Sequence, residues 1–162
     1  MQAPLLSLNR ESNVSADSTT LPIPWRTRLR TFFGLFTLTP FEETLIDAVR
    51  ERLPTELRDI LDAQLSEFNY TARVLDERLD HATTCFYKMR FGRPRLALRR
   101  LFPTDKEKVQ LAKVHVKTDD ATIDVEFWIV RKIFFLVEFR SPQNIFYPRG
   151  AYTIASVDVF PI

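Results

Sequence analysis

Between Val109 and Ser141 apolar and polar positions alternate through three successive runs, rich in β-branched and aromatic residues and separated by short polar breaks. A period of two predicts a three-stranded antiparallel meander. Its register follows from asking which turn lengths gather the apolar residues on one face, because a slip of one residue turns every side chain over. A two-residue turn at Asp119-Asp120 sets Val116 opposite Ile123, Val114 opposite Val125 and Ala112 opposite Phe127. A three-residue loop at Val130-Arg131-Lys132 then sets Phe127 opposite Phe135 and Val125 opposite Val137. One face becomes apolar throughout, running from Ala112, Val114 and Val116 through Ile123, Val125, Phe127 and Ile129 to Ile133, Phe135, Val137 and Phe139. Phe127, Phe135 and Val137 are expected among the most buried residues.

The other face is mixed. The same register aligns Lys113 with Glu126 and brings His115, Asp124 and Glu138 into one row across three strands. A histidine beside two carboxylates could hold a metal ion or act as a general base, the starting point for a metal-dependent enzyme. The expected role is structural, a solvated row of cross-strand charge pairs, because the only other histidine, His81, is distant in sequence. Leu111, Trp128, Phe134 and Leu136 share this face. Four large apolar side chains there call for a covering helix or a partner.

Upstream the period lengthens to that of a helix. Leu38-Thr39-Pro40-Phe41-Glu42 predicts a helix start, with Thr39 as N-cap, Pro40 in the first helical position and Glu42 closing a capping box. Phe41, Leu45, Ala48 and Val49 form the apolar stripe. Leu53-Pro54 ends this helix and opens a second, with Leu57, Ile60, Leu61, Leu65 and Phe68 on one side. The pair is expected to pack as a helical hairpin on the apolar face of a mostly antiparallel sheet of about five strands, an α+β fold. Tyr70 to Leu75 and Thr83 to Met89 read as strands that extend the sheet at one edge, and Tyr152 to Phe160 reads as a last strand. Phe91 to Thr104, punctuated by Gly92, Pro94 and Pro103, reads as a loop with at most a short helical turn.

Residues 1–24 are rich in Ser, Thr, Asn and Asp and read as a disordered arm, leaving residues 25–162 as a single α+β domain. Residues 25–36, with Trp25, Leu29, Phe32, Phe33 and Phe36 at helical spacing, predict a short basic amphipathic helix that packs on the body of the protein and is a candidate to cover the second face of the sheet. No stretch approaches the roughly 18 apolar residues of a membrane span, and the first residues lack the pattern of a secretory signal, so a cytoplasmic protein is expected. The single cysteine, Cys85, excludes an internal disulfide and a cysteine-based zinc cage.

Composition is that of an ordinary globular chain, 162 residues with 45% hydrophobic and 27% charged, but the net charge of +2 conceals a segregation. Residues 42–80 carry 11 acids against 5 bases, a net of −6, while residues 81–162 carry 14 bases against 8 acids, a net of +6. A sign-divided surface of this kind suits a protein partner, or an anion on the basic side. Glu43, Asp47, Glu51, Asp59 and Asp62, on the outward side of the helical hairpin, are candidate partner-binding residues. Arg93, Arg95, Arg99 and Arg100 are candidate anion-binding residues, within a stretch from Lys88 to Arg100 that holds six cations and no acid. With Tyr87 and Phe91 available for base stacking, that stretch could serve a nucleic-acid-binding module. The same arginines, interleaved with Leu96, Leu98 and Leu101, also fit a loop clamped onto the acidic helices of its own domain.

The three glycines, at 34, 92 and 150, cannot build a phosphate-binding loop, and no nucleophile or zinc-protease signature is present. The chain is therefore expected to be non-catalytic, with no metal and no cofactor. The order Leu38-Thr39-Pro40-Phe41-Glu42, then Phe86 to Pro94, Leu111 to Val114, Glu126 to Val130 and Phe135 to Pro142 resembles a group of small uncharacterised bacterial α+β proteins, over about residues 25–142. Arg131-Lys132 stands where that pattern has a glycine. By general type these proteins are similar to immunity proteins, including those of contact-dependent growth inhibition, which implies a toxin inhibitor whose partner is a cognate toxin domain.

Overall fold

The first helix begins where the capping residues put it. The computed structural model describes residues 38–76, 81–95, 97–119, 121–140 and 150–162, in which α1 spans Pro40–Arg52 and α2 spans Thr55–Glu67. The Thr39 hydroxyl accepts the Glu42 N–H at 3.1 Å, and the Glu42 carboxylate accepts the Thr39 N–H at 2.8 Å, the two halves of a capping box. The expected arm 1–24, the expected helix within 25–36 and nearly all of the connection from 141 to 150 lie outside the described residues. No described helix is long and apolar enough to cross a membrane.

Seven strands follow among the described residues: β1 Tyr70–Asp76, β2 His81–Arg90, β3 Arg93–Arg95, β4 Lys108–Thr118, β5 Thr122–Val130, β6 Ile133–Arg140 and β7 Tyr152–Val159. They form one antiparallel sheet in the order β1-β2-β6-β5-β4-β7, with β3 paired to β2. The fold is α+β as expected, but seven strands replace the expected five or so. β3 lies in the stretch expected to be a loop. It is three residues long, exposed throughout and contains Pro94, so it has no alternation that a sequence pattern could reveal.

The β4–β5 hairpin has the expected register, with Val116, Val114 and Ala112 opposite Ile123, Val125 and Phe127. The β5–β6 hairpin does not. Its turn is the two residues Arg131 and Lys132, at φ 51° and 68°, and this closes Val130 onto Ile133. Shortening the turn by one residue shifts β6, and a bulge at Phe135 shifts it by one more. Beyond the bulge Phe127 faces Val137 and Val125 faces Phe139, two residues from the expected pairing, so the face assignment of Val137 and Phe139 survives. Before the bulge the one-residue shift reverses the faces. Phe134, expected on the second face, is fully buried, and Phe135 is only partly buried. A second bulge, at Leu111, turns that side chain inward as well, to zero exposure. The shortened turn and the bulge at Leu111 thus take two of the four large apolar residues off the second face, leave Trp128 and Leu136 there, both half-buried, and add Phe135.

Helix α1 packs against β4 and β7, and α2 against β6. Phe41 meets Tyr152 edge-on at 4.9 Å and Phe139 at 6.2 Å, while Phe134 stacks between Phe86 and Phe127 at 5.1 and 6.1 Å. Ile46 takes the buried place expected of Ala48. Two buried polar side chains anchor these helices. Glu42 reaches the sheet, where one carboxylate oxygen accepts Arg73 Nε at 3.0 Å and Thr84 Oγ at 2.8 Å, and the other takes a second Arg73 donor beside the Thr39 N–H. Gln64, with no exposed surface, donates to the carbonyls of Arg100 and Lys132 at 2.8 and 3.2 Å and accepts the Phe134 N–H at 2.7 Å.

Two measurements follow from this packing. Phe134→Ala should cost about 3 to 5 kcal/mol in denaturant unfolding, as for a fully buried aromatic, whereas Phe135→Ala should cost less than about 2 kcal/mol. For Glu42, burial pushes the carboxyl up, but the hydrogen bonds from Arg73, Thr39 and Thr84 and the Arg73 charge outweigh it and hold the pKa below 4.5. A folded pKa below the unfolded one stabilises the fold above the unfolded value and is lost as pH falls through the folded value. Glu42→Gln should therefore flatten the fall in stability between about pH 5 and pH 3, read by chemical denaturation across that window.

Candidate binding surfaces

The helical hairpin turns its acids outward at intervals of one turn. Glu43, Asp47 and Glu51 form an exposed stripe on α1, beside Asp59 and Asp62 on α2. The structure brings Asp47 and Asp62 together on one cation, Arg50, at 3.4 and 2.7 Å. Asp59 meets Arg100 at 4.0 Å, with both side chains more than half exposed, a distance and exposure at which solvent screens most of the attraction. Glu43 and Glu51 have no ion-pair partner among the described residues. The acidic character of the face is thus reduced at its centre and retained along α1.

The basic stretch is split in two by the fold. Lys88 pairs with Glu67 and donates to the Ala97 carbonyl at 3.2 Å, and Glu67 also accepts the Arg99 N–H at 2.9 Å. The hydrogen bond from Lys88, then that from Arg99, hold the Glu67 carboxyl below its ordinary range. The Arg100 carbonyl is taken by Gln64. These bonds clamp the base of the loop onto the acidic helices, as the interleaved leucines and arginines implied. The other part is a finger. β2 and β3 are joined by the two-residue turn Phe91-Gly92, both in left-handed backbone, with Arg90 opposite Arg93. Phe91 is 89% exposed, and the Arg90 guanidinium lies over its ring at 5.4 Å. Arg93 and Arg95 are exposed on β3. Tyr87, expected to be available for stacking, is instead packed edge-to-face on Phe135 at 5.3 Å and against Tyr70 at 6.0 Å, and burial pushes its hydroxyl up to about 12. The hairpin that presents Arg90 and Phe91 was not legible, because Phe-Gly lacks the Asn or Asp that marks a two-residue turn.

The His115 row is also rearranged. His115 Nδ1 lies 2.7 Å from Asp124, whose other oxygen takes Lys113 at 2.7 Å, and His115 Nε2 faces Asp158 on β7 at 3.5 Å. The expected third member, Glu138, is not in this row. The shift of β6 puts Arg140 opposite Asp124 and sets Glu138 opposite Glu126. Glu138 there contacts Lys108 at 3.3 Å and Arg140 at 3.7 Å, and Arg140 lies 3.1 Å from the buried Glu126. Burial raises the Asp124 pKa, but hydrogen bonds from Lys113 and His115 prevail and lower it below 3.8. Both imidazole nitrogens and every carboxylate of the row are engaged in cross-strand pairs, the arrangement expected of a structural charge ladder. Among the described residues no group of three His, Cys, Asp or Glu side chains is placed to hold a metal ion.

No protein-family model matches the chain, and no curated protein or solved structure matches it either.

Removing the clamp should loosen the loop without unfolding the protein. Glu67→Gln is expected to lower stability by about 1.5 to 3 kcal/mol, the range for losing a hydrogen bond to a charged group. Tryptic cleavage after Arg95, Arg99 and Arg100 should accelerate several-fold under native conditions, read by mass spectrometry, because local opening exposes this segment before the core.

Proposed function

We propose that the protein is a non-catalytic binding module that captures a protein partner, an inhibitor of the immunity type acting on a toxin domain in the cytoplasm. The observation that carries this reading is the exposed stripe Glu43, Asp47 and Glu51, in which Glu43 and Glu51 have no ion-pair partner among the described residues. The stripe stands on a helix fixed at its N-terminal end by the Glu42–Arg73–Thr84 network, so it is presented in one orientation and loses little conformational freedom on binding. Many toxin domains act on nucleic acids and have cationic substrate clefts, and an acidic ridge would be steered to such a cleft. The engagement of His115 and its neighbouring carboxylates in cross-strand pairs supports a non-catalytic role. The likeness in general type to immunity proteins points the same way.

The test is co-purification with the C-terminal domain of a large secreted protein encoded immediately upstream. The expected result is a one-to-one complex. The double substitution Glu43→Lys and Glu51→Lys should weaken it by about 10-fold or more at low salt, mostly through a slower association rate. A complex indifferent to both charges would reject the acidic stripe as the docking surface.

A further inference from the structure

The β2–β3 finger has a chemistry that neither the fold nor the proposed inhibitor role uses. Phe91 is 89% exposed, against 49% and 47% for Val74 and Leu101, the other exposed large hydrophobic side chains among the described residues. Its backbone is left-handed, at φ 51°, a conformation that L-residues other than Asn and Asp rarely adopt. Burial does not compensate for that conformation. The Arg90 guanidinium lies over the ring.

The cations around the finger divide in an informative way. Lys88, Arg100, Lys108, Arg131 and Lys132 each lie within 4.0 Å of a carboxylate. Arg90, Arg93, Arg95 and the Arg99 side chain have no carboxylate partner among the described residues. The fold neutralises the base of this end of the sheet and leaves Arg90, Arg93 and Arg95 on the finger, and the Arg99 side chain beside the clamp at its base, without a carboxylate partner among the described residues.

We propose that this finger binds single-stranded nucleic acid, with Phe91 and the Arg90 guanidinium stacking on a base and Arg93, Arg95 and Arg99 contacting flanking phosphates. An exposed ring set among unpaired arginines is the arrangement by which sequence-tolerant single-strand binders work, since every base offers a π-face and every nucleotide a phosphate. A peptide strand adding to the outer edge of β3 fits less well, because Pro94, at the middle of that strand, offers no N–H to a partner. The acidic stripe on α1 belongs to a different surface, so the two activities are separable.

Fluorescence anisotropy of the full chain with a labelled 12-nucleotide oligo(dT) or oligo(U) tests the proposal. Binding should weaken with salt at a slope of about −2 in log–log form, the value for three phosphate contacts on a single strand. Phe91→Ala should lower affinity about 10-fold with the slope unchanged, and Arg93→Ala with Arg95→Ala should make the slope shallower by about 1.4. These side chains are exposed, so the variants should keep the wild-type melting temperature. Glu43→Gln with Glu51→Gln should leave oligonucleotide affinity within about twofold, which separates failure here from failure of the inhibitor reading. Absence of binding at 50 mM salt would overturn the proposal. So would binding that is insensitive to Phe91, or tighter binding to anionic vesicles or to an acidic peptide than to the oligonucleotide.

Discussion

The side-chain amide of Gln64 donates to two carbonyls, those of Arg100 and Lys132, and its oxygen takes the N–H of Phe134. Two separate parts of the chain, the loop before β4 and the turn into β6, therefore meet on one residue of α2. Each partner is a backbone group beneath a helix, and a buried backbone group left without its hydrogen bond costs about 1 to 3 kcal/mol. The amide is what allows α2 to lie over the start of β6 and the loop before β4 without stranding them. The turn it touches would otherwise be costly, because Arg131 and Lys132 are both left-handed, at about 1 to 2 kcal/mol for each residue with a Cβ. Hydrogen bonds from the Phe102 N–H to Lys132 and from the Arg131 N–H to Glu107, at 2.9 and 2.7 Å, help hold the turn in that conformation.

That tight turn has consequences across the sheet. By closing one residue early it rotates the first part of β6, putting Phe134 into the aromatic stack between Phe86 and Phe127. The bulge at Phe135 then restores the alternation, so that Val137 and Phe139 still face the helices. The cost in sheet geometry is one ladder position left unpaired at Phe135, and the result is an exchange, with Phe134 fully buried in place of Phe135. The same offset moves Arg140, in place of Glu138, opposite Asp124, and a constellation that could have looked catalytic becomes a run of alternating charges.

The clamp at Glu67 connects the packing of the helices to the chemistry of the surface. It spends an acid of α2 on Lys88 and the Arg99 backbone, which draws the base of the basic stretch onto the helices and leaves the β2–β3 finger projecting beyond it. Arg50 acts similarly on the other side by taking Asp47 and Asp62. Both surfaces offered for binding are what remains after these internal pairings, and this residue of charge, more than the totals along the chain, is what a partner would meet.

The capping box at Thr39 and Glu42, the helical hairpin, the β4–β5 register and the inward face of β4 and β5 were all legible in the sequence, because each depends on residues close together in the chain and on a period that side-chain geometry enforces. The outward acids and the clustered arginines were legible as candidates for the same reason. What the tertiary structure decided were the matters that depend on contacts between distant segments. The turn at Arg131 and Lys132 carries no glycine to announce it, and its stability comes from Gln64, Phe102 and Glu107, between 24 and 68 residues away. The bulges at Leu111 and Phe135 interrupt the local pattern, and with them Leu111 and Phe134 enter the core. Which cations are paired could not be read from composition, since Lys88 and Arg93 look alike along the chain and differ only in whether Glu67 reaches them. A local pattern specifies the faces of an element, and only packing specifies its offset against its neighbours, because alternation is unchanged by a shift of two residues.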